Sequence, residues 1–258
     1  MITRTDLSTF LQDFFGEEFL RKAEEKDELA NGPQFLGSVE IRKIALGASI
    51  NEDFLKEAVT IGANVCIFHH GFDPRVHKGR FPLSSQKRLR LIFKHDLTIF
   101  GFHYALDAHP TIGNNATILK HLRAKIQDTL FEECGFVGQL REPKKVEDLA
   151  KICADLFSQD VFAVYAGPKV VKTIGVVSGA AKPYAQHIAE MEEKGVELFI
   201  AGETSESVPN RMKESGINYF ACGHYATEVF GVQELGKVIK SHFKDSVEVE
   251  FIDIPNPI

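Results

Sequence analysis

The stretches GANVCIFHH at residues 62–70 and GVELFIAGE at residues 195–203 decide how this sequence folds. They align without a gap: each begins at a glycine, continues through an apolar run typical of a buried β-strand, and ends in polar residues. Upstream, IALGASINEDFLKEAVTIG (44–62) and IGVVSGAAKPYAQHIAEMEEKG (174–195) each predict a strand followed by a helix. The repeated order of elements predicts an internal duplication.

Two matching motifs lie downstream of these strands. HYALD covers His103 to Asp107 and HYATE covers His224 to Glu228, so both read His-Tyr-Ala-x-carboxylate. Chance could produce one five-residue match, but it is a poor explanation for two motifs in the same order, each after a predicted strand. The motifs therefore favour two related halves of one chain.

The alternation of strands and helices predicts an α/β fold with parallel or mixed sheets covered by helices. We predict two similar α/β units with a metal site in the cleft between them. The first covers 1–125 and is completed by 241–258, and the second covers 126–240, although 217–240 could instead pack with the first. In open α/β sheets ligands bind beyond the carboxyl ends of strands, where both motifs and the His69-His70 pair are predicted to lie.

Local patterns give three more expectations. The spacing of apolar residues between Leu7 and Phe15 predicts an amphipathic helix, and the polar stretch EEKDELANGPQ (24–34) is typical of a surface loop. Pro110 and Gly113 indicate a loop rather than a helix around HYALD.

The composition limits the classes of partner and compartment. The net charge is −6, and no long basic stretch is present, which argues against binding to nucleic acid or an anionic membrane. No apolar run approaches the roughly 20 residues that cross a bilayer, and the amino terminus lacks the pattern of a signal peptide. The four scattered cysteines contain no CxxC pair and do not suggest a disulfide framework, so we expect a cytoplasmic protein. Its expected partner is a small-molecule substrate of unknown identity.

Adjacent histidines in a strand point to opposite faces, so His69 and His70 can share a site only where the strand has ended. Gly71 and Pro74, directly after the pair, are consistent with such an end. His224 and Glu228 are four residues apart on a predicted helix, which puts their side chains on one face. The alternatives are a surface or core histidine pair and an ordinary exposed His–Glu pair.

Together these residues predict a metal site. Imidazoles and carboxylates suit divalent Zn, Fe, Mn, Ni or Co. Five or six ligands exceed the three protein ligands of a mononuclear catalytic zinc, so we expect two ions, with Glu228 as the first choice for a bridging carboxylate. Two ions could polarise a phosphoryl or carbonyl oxygen and so favour hydrolysis. The candidate metal ligands are His69, His70, Asp107, His224 and Glu228, and the candidate catalytic residues are Glu228 and His103.

Other polar residues have weaker claims. SGAAKP (178–183) could be an anion-binding turn before a helix, although an ordinary loop is the simpler interpretation. Glu203 is aligned with His70 and could line the cleft, and Tyr104 and Tyr225 could hydrogen-bond there or simply pack. Six histidines have no repeated context and are interpreted as surface or packing residues: His77, His95, His109, His121, His187 and His242.

The motifs resemble those of the Nif-three-like proteins, a family often called GTP cyclohydrolase 1 type 2 homologs. The resemblance covers nearly the whole chain and rests on GANVCIFHH, FHYALDA, the SGAA turn, LFIAGETSE, ACGHYATE and FIDIPNPI. It implies two similar α/β domains, a two-metal site between them, assembly into a hexameric ring, and the five metal ligands named above.

The sequence departs from the family pattern at a few positions. Tyr104 and Ala105 replace residues of the family's His-Thr-Asn-Leu-Asp motif, Gly71 stands where proline is usual after the double histidine, and Glu203 replaces aspartate. All five ligands are retained. Two functions therefore stay open: a metal-dependent hydrolase for a nucleotide-like or phosphorylated small molecule, and a non-enzymatic metal-binding or regulatory protein.

Overall fold

The computed structural model describes all 258 residues, which form two compact units. Unit 1 comprises Met1–Leu106 and Gly231–Ile254, and unit 2 comprises Asp107–Phe230 and Pro255–Ile258. Each unit is built on a sheet with helices, which confirms the predicted α/β class.

In chain order the elements are β1 (Ile2–Thr3), α1 (Arg4–Phe15), α2 (Glu17–Lys26), β2 (Asn31–Phe35), β3 (Glu40–Ile41), β4 (Lys43–Ser49), α3 (Glu52–Thr60), β5 (Val65–His70), α4 (Leu83–Lys94), β6 (Thr98–Phe102), α5 (His103–Ala108), α6 (Asn114–His121), β7 (Ala124–Leu130), β8 (Gly135–Lys145), α7 (Val146–Phe157), β9 (Phe162–Val164), β10 (Val170–Val177), α8 (Ala185–Glu193), β11 (Leu198–Ala201), α9 (Val208–Ser215), β12 (Asn218–Ala221), α10 (His224–Phe243), a 3-10 turn (Lys244–Ser246) and β13 (Glu248–Phe251).

Unit 1 contains a five-stranded sheet in the order β13-β4-β5-β6-β2. All neighbours are parallel except β2, which runs antiparallel to β6 at the edge. Asn51 accepts a hydrogen bond from the Phe54 backbone nitrogen and so caps α3, an interaction that typically contributes about 1 kcal/mol. The Phe54 ring packs so closely on Gly47 that a Cβ there would lie 2.4 Å from it, which places α3 directly on β4.

Unit 2 contains a six-stranded sheet in the order β7-β8-β10-β11-β12-β9. The central strands β10, β11 and β12 are parallel, and the remaining pairs are antiparallel. Both faces of the sheet are covered, because Leu198 and Ile200 of β11 belong to one apolar core while Phe199 and Ala201 belong to the other. A strand buried on both faces needs an uninterrupted apolar run, which explains the sequence LFIA.

Both sheets therefore hold three consecutive parallel strands flanked by one antiparallel edge strand: β4-β5-β6 with β2, and β10-β11-β12 with β9. Each series ends in a helix that begins at a histidine, His103 of α5 and His224 of α10. The histidines His69, His70, His103 and His224 consequently lie at or just after the carboxyl ends of these strands.

The local predictions had mixed outcomes. The helix over Leu7–Phe15 is confirmed by α1, whereas the predicted loop at 24–34 contains the end of α2 and most of β2. Strand β2 pairs with β6 despite its polar composition, since an edge strand has only one neighbour and tolerates Pro33.

None of the helices has the length and apolar character that crossing a membrane requires.

Candidate metal centre

Three histidines of unit 1 form a cluster at the carboxyl ends of β5 and β6. His69 and His70 are the last residues of β5, and His103 is the first residue of α5. The ring centroids of His69 and His70 are 4.5 Å apart, and His103 lies 4.7 Å from His69 and 5.2 Å from His70. One ring nitrogen from each lies within 4.8 Å of the others, so this histidine cluster could hold a metal ion.

The sequence predicts the paired histidines at a strand end, and β5 includes both of them and ends at His70, directly before Gly71. Strand β5 continues through His70, which is in register with Ser49 of β4. Its pairing with β6, however, stops at Phe68 and Gly101. The two histidines therefore lie beyond the part of β5 that pairs with β6, at the place where this ladder ends.

Each ring of the histidine cluster is fixed through its Nδ1 atom. His69 Nδ1 lies 3.3 Å from the Phe102 carbonyl oxygen, and His70 Nδ1 lies 2.8 Å from Ser49 Oγ. His103 Nδ1 donates to Asp27 Oδ2 at 2.6 Å. Contacts of this kind set the tautomer and orientation of an imidazole and leave its Nε2 for a metal or a proton.

Asp27 is the main support of this cluster and was not predicted. Burial acts to raise the pKa of its carboxyl, but hydrogen bonds from His103 and from the backbone nitrogens of Leu29 and Tyr104 outweigh burial and lower the pKa. Asp27 is therefore a carboxylate at neutral pH, able to hold the neutral or protonated form of His103.

The predicted loop at HYALD was also wrong, because His103–Ala108 forms helix α5. Asn31 Oδ1 accepts from the Ala105 backbone nitrogen, and Asp27 accepts from that of Tyr104, so the first turn is capped by unit 1 side chains. The helix ends after six residues because His109 precedes Pro110, where the helical conformation is disfavoured.

Unit 2 holds a second group of donors, the carboxylate cluster of Asp107, His224 and Glu228. Asp107 is only 6% exposed and Glu228 only 3%. A carboxylate oxygen of Asp107 lies within 4.8 Å of one of Glu228, and His224 Nε2 lies 2.9 Å from Glu228 Oε2. Two buried carboxylates so close together repel each other unless positive charge is supplied nearby.

Asp107 is held by one side chain of α6 and one from the turn that follows β10. Asn114 Nδ2 donates to Asp107 Oδ1 at 2.9 Å, and Ser178 Oγ donates to the same oxygen at 2.8 Å. Asn115 is fully buried and accepts from the Ser178 backbone nitrogen at 2.7 Å. The SGAA turn, interpreted from sequence as an ordinary loop, thus supports this carboxylate directly.

His224 lies between two carboxylates. Its Nδ1 donates to Glu203 Oε1 at 2.6 Å, and the Glu203 carboxylate also pairs with Lys182. The hydrogen bond with Glu228 raises the pKa of His224 to about 9 against the opposing effect of burial, and Glu203 adds to the rise. The hydrogen bond from Lys182, followed by that from His224, lowers the pKa of Glu203.

These residues fit a metal ion in chemistry as well as position. All four clustered histidines engage Nδ1 with an oxygen, and the two carboxylates are buried among polar partners. Imidazole and carboxylate donors of this kind are typical of sites for borderline divalent metals. The structure therefore contains His/Asp/Glu clusters that could bind a metal ion.

Sequence reasoning missed the supporting residues Asp27, Ser49, Asn114, Asn115 and Ser178. Only Ser178-Gly179, a polar residue and a glycine at the end of an apolar strand, indicated in the sequence that a supporting side chain could lie there. Glu203, expected as a lining residue, supports His224 instead. Tyr104 is buried at 6% exposure, whereas Tyr225 is half-buried.

Comparison with known proteins agrees with the resemblance noted in the sequence. The family model described as Duf34/NIF3 (NGG1p interacting factor 3) matches residues 4–257. The chain is 32% identical over 260 residues to the GTP cyclohydrolase 1 type 2 homolog of Pseudomonas aeruginosa, covering 97% of this chain and 98% of that protein. It is 32% identical over 254 residues to the protein of the same name from Escherichia coli K12, covering 97% and 99%.

Solved structures show the same fold. The protein ybgI, described as of unknown function, superimposes with a TM-score of 0.88 at 29% identity and covers all of both chains. Reduced HcgD from Methanocaldococcus jannaschii gives a TM-score of 0.83 at 19% identity over 98% of each chain, and this likeness concerns the fold alone.

Proposed function

The chain belongs to the Duf34/NIF3 family, and we propose that it is a dinuclear metal protein that hydrolyses a nucleotide-like or phosphorylated small molecule. The proposed ions are two divalent cations among Zn, Fe, Mn, Ni and Co. Their proposed ligands are His69, His70, Asp107, His224 and Glu228.

One observation carries this proposal: every clustered histidine has Nδ1 bound to an oxygen. A surface His–Glu pair needs only one contact, whereas here Asp27, Ser49, Glu203 and the Phe102 carbonyl each fix a different ring. Such support orients Nε2 and increases its basicity, and substitutions of these partners in metalloproteins typically weaken metal binding about 10- to 100-fold.

The chemistry divides between the metals and the chain. When bound, two divalent ions supply positive charge that polarises a phosphoryl or carbonyl oxygen. Glu228 contributes buried negative charge that retains the ions. His103 is proposed to take up and return a proton at Nε2, because its Nδ1 is engaged by Asp27, which also stabilises the charged imidazolium.

The substrate class rests on the donor set and on the relatives. Hydrolysis at phosphorus or at a ring carbon both suit a dinuclear centre. The two relatives described above carry the name GTP cyclohydrolase 1 type 2 homolog, so GTP belongs in the first substrate panel beside simple phosphoesters. The resemblance further suggests a homohexamer, for which light scattering should give a mass of six chains.

Metal content tests the ligand set. Purified chain should bind two divalent ions per protomer by inductively coupled plasma mass spectrometry, and His69→Ala and Glu228→Gln should each reduce that number. Glu234→Gln is the matched control, because Glu234 lies on the same helix and pairs with Lys237 instead. Full metal content in Glu228→Gln would refute the proposed ligands.

Activity separates the hydrolase from a non-enzymatic metal-binding or regulatory protein. Metal-loaded chain should hydrolyse at least one member of a nucleotide and phosphoester panel, and His103→Ala should lose that activity while keeping its metals. Rapid metal exchange without turnover of any member would instead support the non-enzymatic protein. Turnover unchanged in Glu228→Gln would contradict a metal-dependent reaction.

A further inference from the structure

Strand β5 loses one of its two neighbours just before it reaches the paired histidines. Its pairing with β6 ends at Phe68 and Gly101. On the other side β4 still holds the pair, because the Ile50 backbone nitrogen donates to the His70 carbonyl oxygen at 2.9 Å. Beyond Phe68, any support from the β6 side must therefore come from something other than strand pairing.

The side chain of Gln34 supplies a support on that side. Gln34 belongs to β2, which is the neighbour of β6 in the sheet. Its Nε2 donates to the Phe72 carbonyl oxygen at 2.6 Å, and its Oε1 accepts from the Phe72 backbone nitrogen at 2.7 Å. Two residues exchange the same pair of hydrogen bonds across an antiparallel ladder. The Gln34 amide thus takes the place of a strand for buried Phe72, two residues after His70.

Two glycines make room for this amide. A Cβ at Gly71 would lie 2.2 Å from Gln34 Oε1, and one at Gly101 would lie 3.0 Å from the same atom. Neither glycine has a positive φ, so the backbone conformation does not require glycine at these positions. The close approach of Gln34 does require it. Gly71, which directly follows the paired histidines, is therefore matched to Gln34.

We propose that Gln34 is a positioning residue for His69 and His70, which acts through the backbone that follows them. Its amide binds the Phe72 backbone and not an imidazole. Ser49 and Ile50 hold His70 from the β4 side, so the Gln34 contact completes the support of this segment. Metal ligands must be held within about 0.5 Å of their working positions. The inference rests on the proposed function, because it assigns Gln34 to the support of two proposed metal ligands.

A second glutamine separates positioning from simple anchoring of the segment 71–82. Gln86 Nε2 donates to the Phe81 carbonyl oxygen at 2.9 Å, so Gln86 holds the far end of this segment. If Gln34 only anchors the segment, loss of either glutamine should have the same consequence. If Gln34 positions the histidines, only its loss should affect metal binding.

Methionine substitutions test this assignment, since methionine is about as long as glutamine but forms neither amide hydrogen bond. Wild type, Gln34→Met and Gln86→Met should be titrated with Zn²⁺ in competition with an indicator chelator. We expect Gln34→Met to bind Zn²⁺ about 10-fold more weakly, the lower end of the range for direct partners of metal ligands. Gln86→Met should bind like wild type.

A double-mutant cycle tests the match between Gly71 and Gln34. Gly71→Ala should weaken Zn²⁺ binding about as much as Gln34→Met, because its Cβ displaces the same amide. In a Gln34→Ala background, Gly71→Ala should cause little further loss, since the colliding amide is absent. Fully additive losses would show that the two positions act independently and would overturn the inference.

Nuclear magnetic resonance of the metal-free chain gives a readout that does not depend on the proposed function. The ring signals of His69 and His70 should move in Gln34→Met and stay in place in Gln86→Met. If Gln34→Met lowers the melting temperature but keeps the wild-type ring signals and Zn²⁺ affinity, Gln34 is only structural and the inference is overturned. Equal losses of affinity in both glutamine variants overturn it as well. If wild type binds no Zn²⁺ while the ring signals still depend on Gln34, the proposed function fails and the positioning role stands.

Discussion

Gly179 packs against the proposed metal ligands so closely that one methyl group should disturb them. A Cβ at this position would lie 2.0 Å from Glu228 Oε1 and 3.4 Å from His224 Nε2. Contacts of a Cβ below 3.0 Å are essentially never observed, so Gly179→Ala must push the carboxylate back by at least 1.0 Å. Metal–ligand distances tolerate only about ±0.2 Å, so the displaced oxygen can no longer coordinate in its original place.

The substitution also strains the backbone, since Gly179 has φ of +63°. Alanine in this left-handed region costs about 1–2 kcal/mol, so stability alone would not identify the clash. Gly195 supplies the matched control, because it has the same φ of +63° and nothing within 4 Å of its Cβ position. Gly195→Ala should lower the free energy of unfolding and leave metal binding unchanged.

The assay compares metal affinity and unfolding in the two variants. Gly179→Ala should bind metal at least about 10-fold more weakly than Gly195→Ala when an indicator chelator competes. Urea unfolding should show the backbone cost in both variants and a further loss in Gly179→Ala from the clash with Glu228. Equal metal affinity in both variants would show that Glu228 is not held against Gly179 for coordination, and the reasoning would fail.

Three further predictions concern stability, protons and metal removal. Asn115→Ala should destabilise the chain by about 1–3 kcal/mol in urea unfolding, because the buried Ser178 amide loses its acceptor. The pKa of His224 is raised to about 9, and a metal requires the neutral imidazole. Metal uptake at pH 7.5 should therefore release a proton from His224, whereas uptake at pH 10 should not. Calorimetry in buffers of different ionisation enthalpy measures this proton release, and Glu203→Gln should reduce it at pH 7.5. Chelation of the metals should lower the melting temperature, because Asp107 and Glu228 are left buried side by side; an unchanged value would argue against a metal between them.

The sequence contained enough local information to predict most elements of the fold. Apolar periodicity predicted α1, and the repeated strand-helix order predicted parallel strands in both sheets. It could not predict β2, because an edge strand of mixed composition has no period of its own. The supports of the clusters were equally invisible, since Asp27 meets His103 across 76 residues and Ser178 meets Asp107 across 71. Such pairings depend on the packing of elements, which no local pattern records.

The aligned motifs differ in a way that bears on function. Position 70 is a histidine of the histidine cluster, while the aligned position 203 is a carboxylate that supports His224. His103 and His224, the first residues of the two similar motifs, nevertheless both donate Nδ1 to a carboxylate at 2.6 Å. Asp27 supplies it in unit 1 and Glu203 in unit 2, so two unrelated positions provide the same hydrogen bond. In His224 this support increases the basicity of a proposed metal ligand, whereas in His103 it stabilises the proton uptake proposed at Nε2.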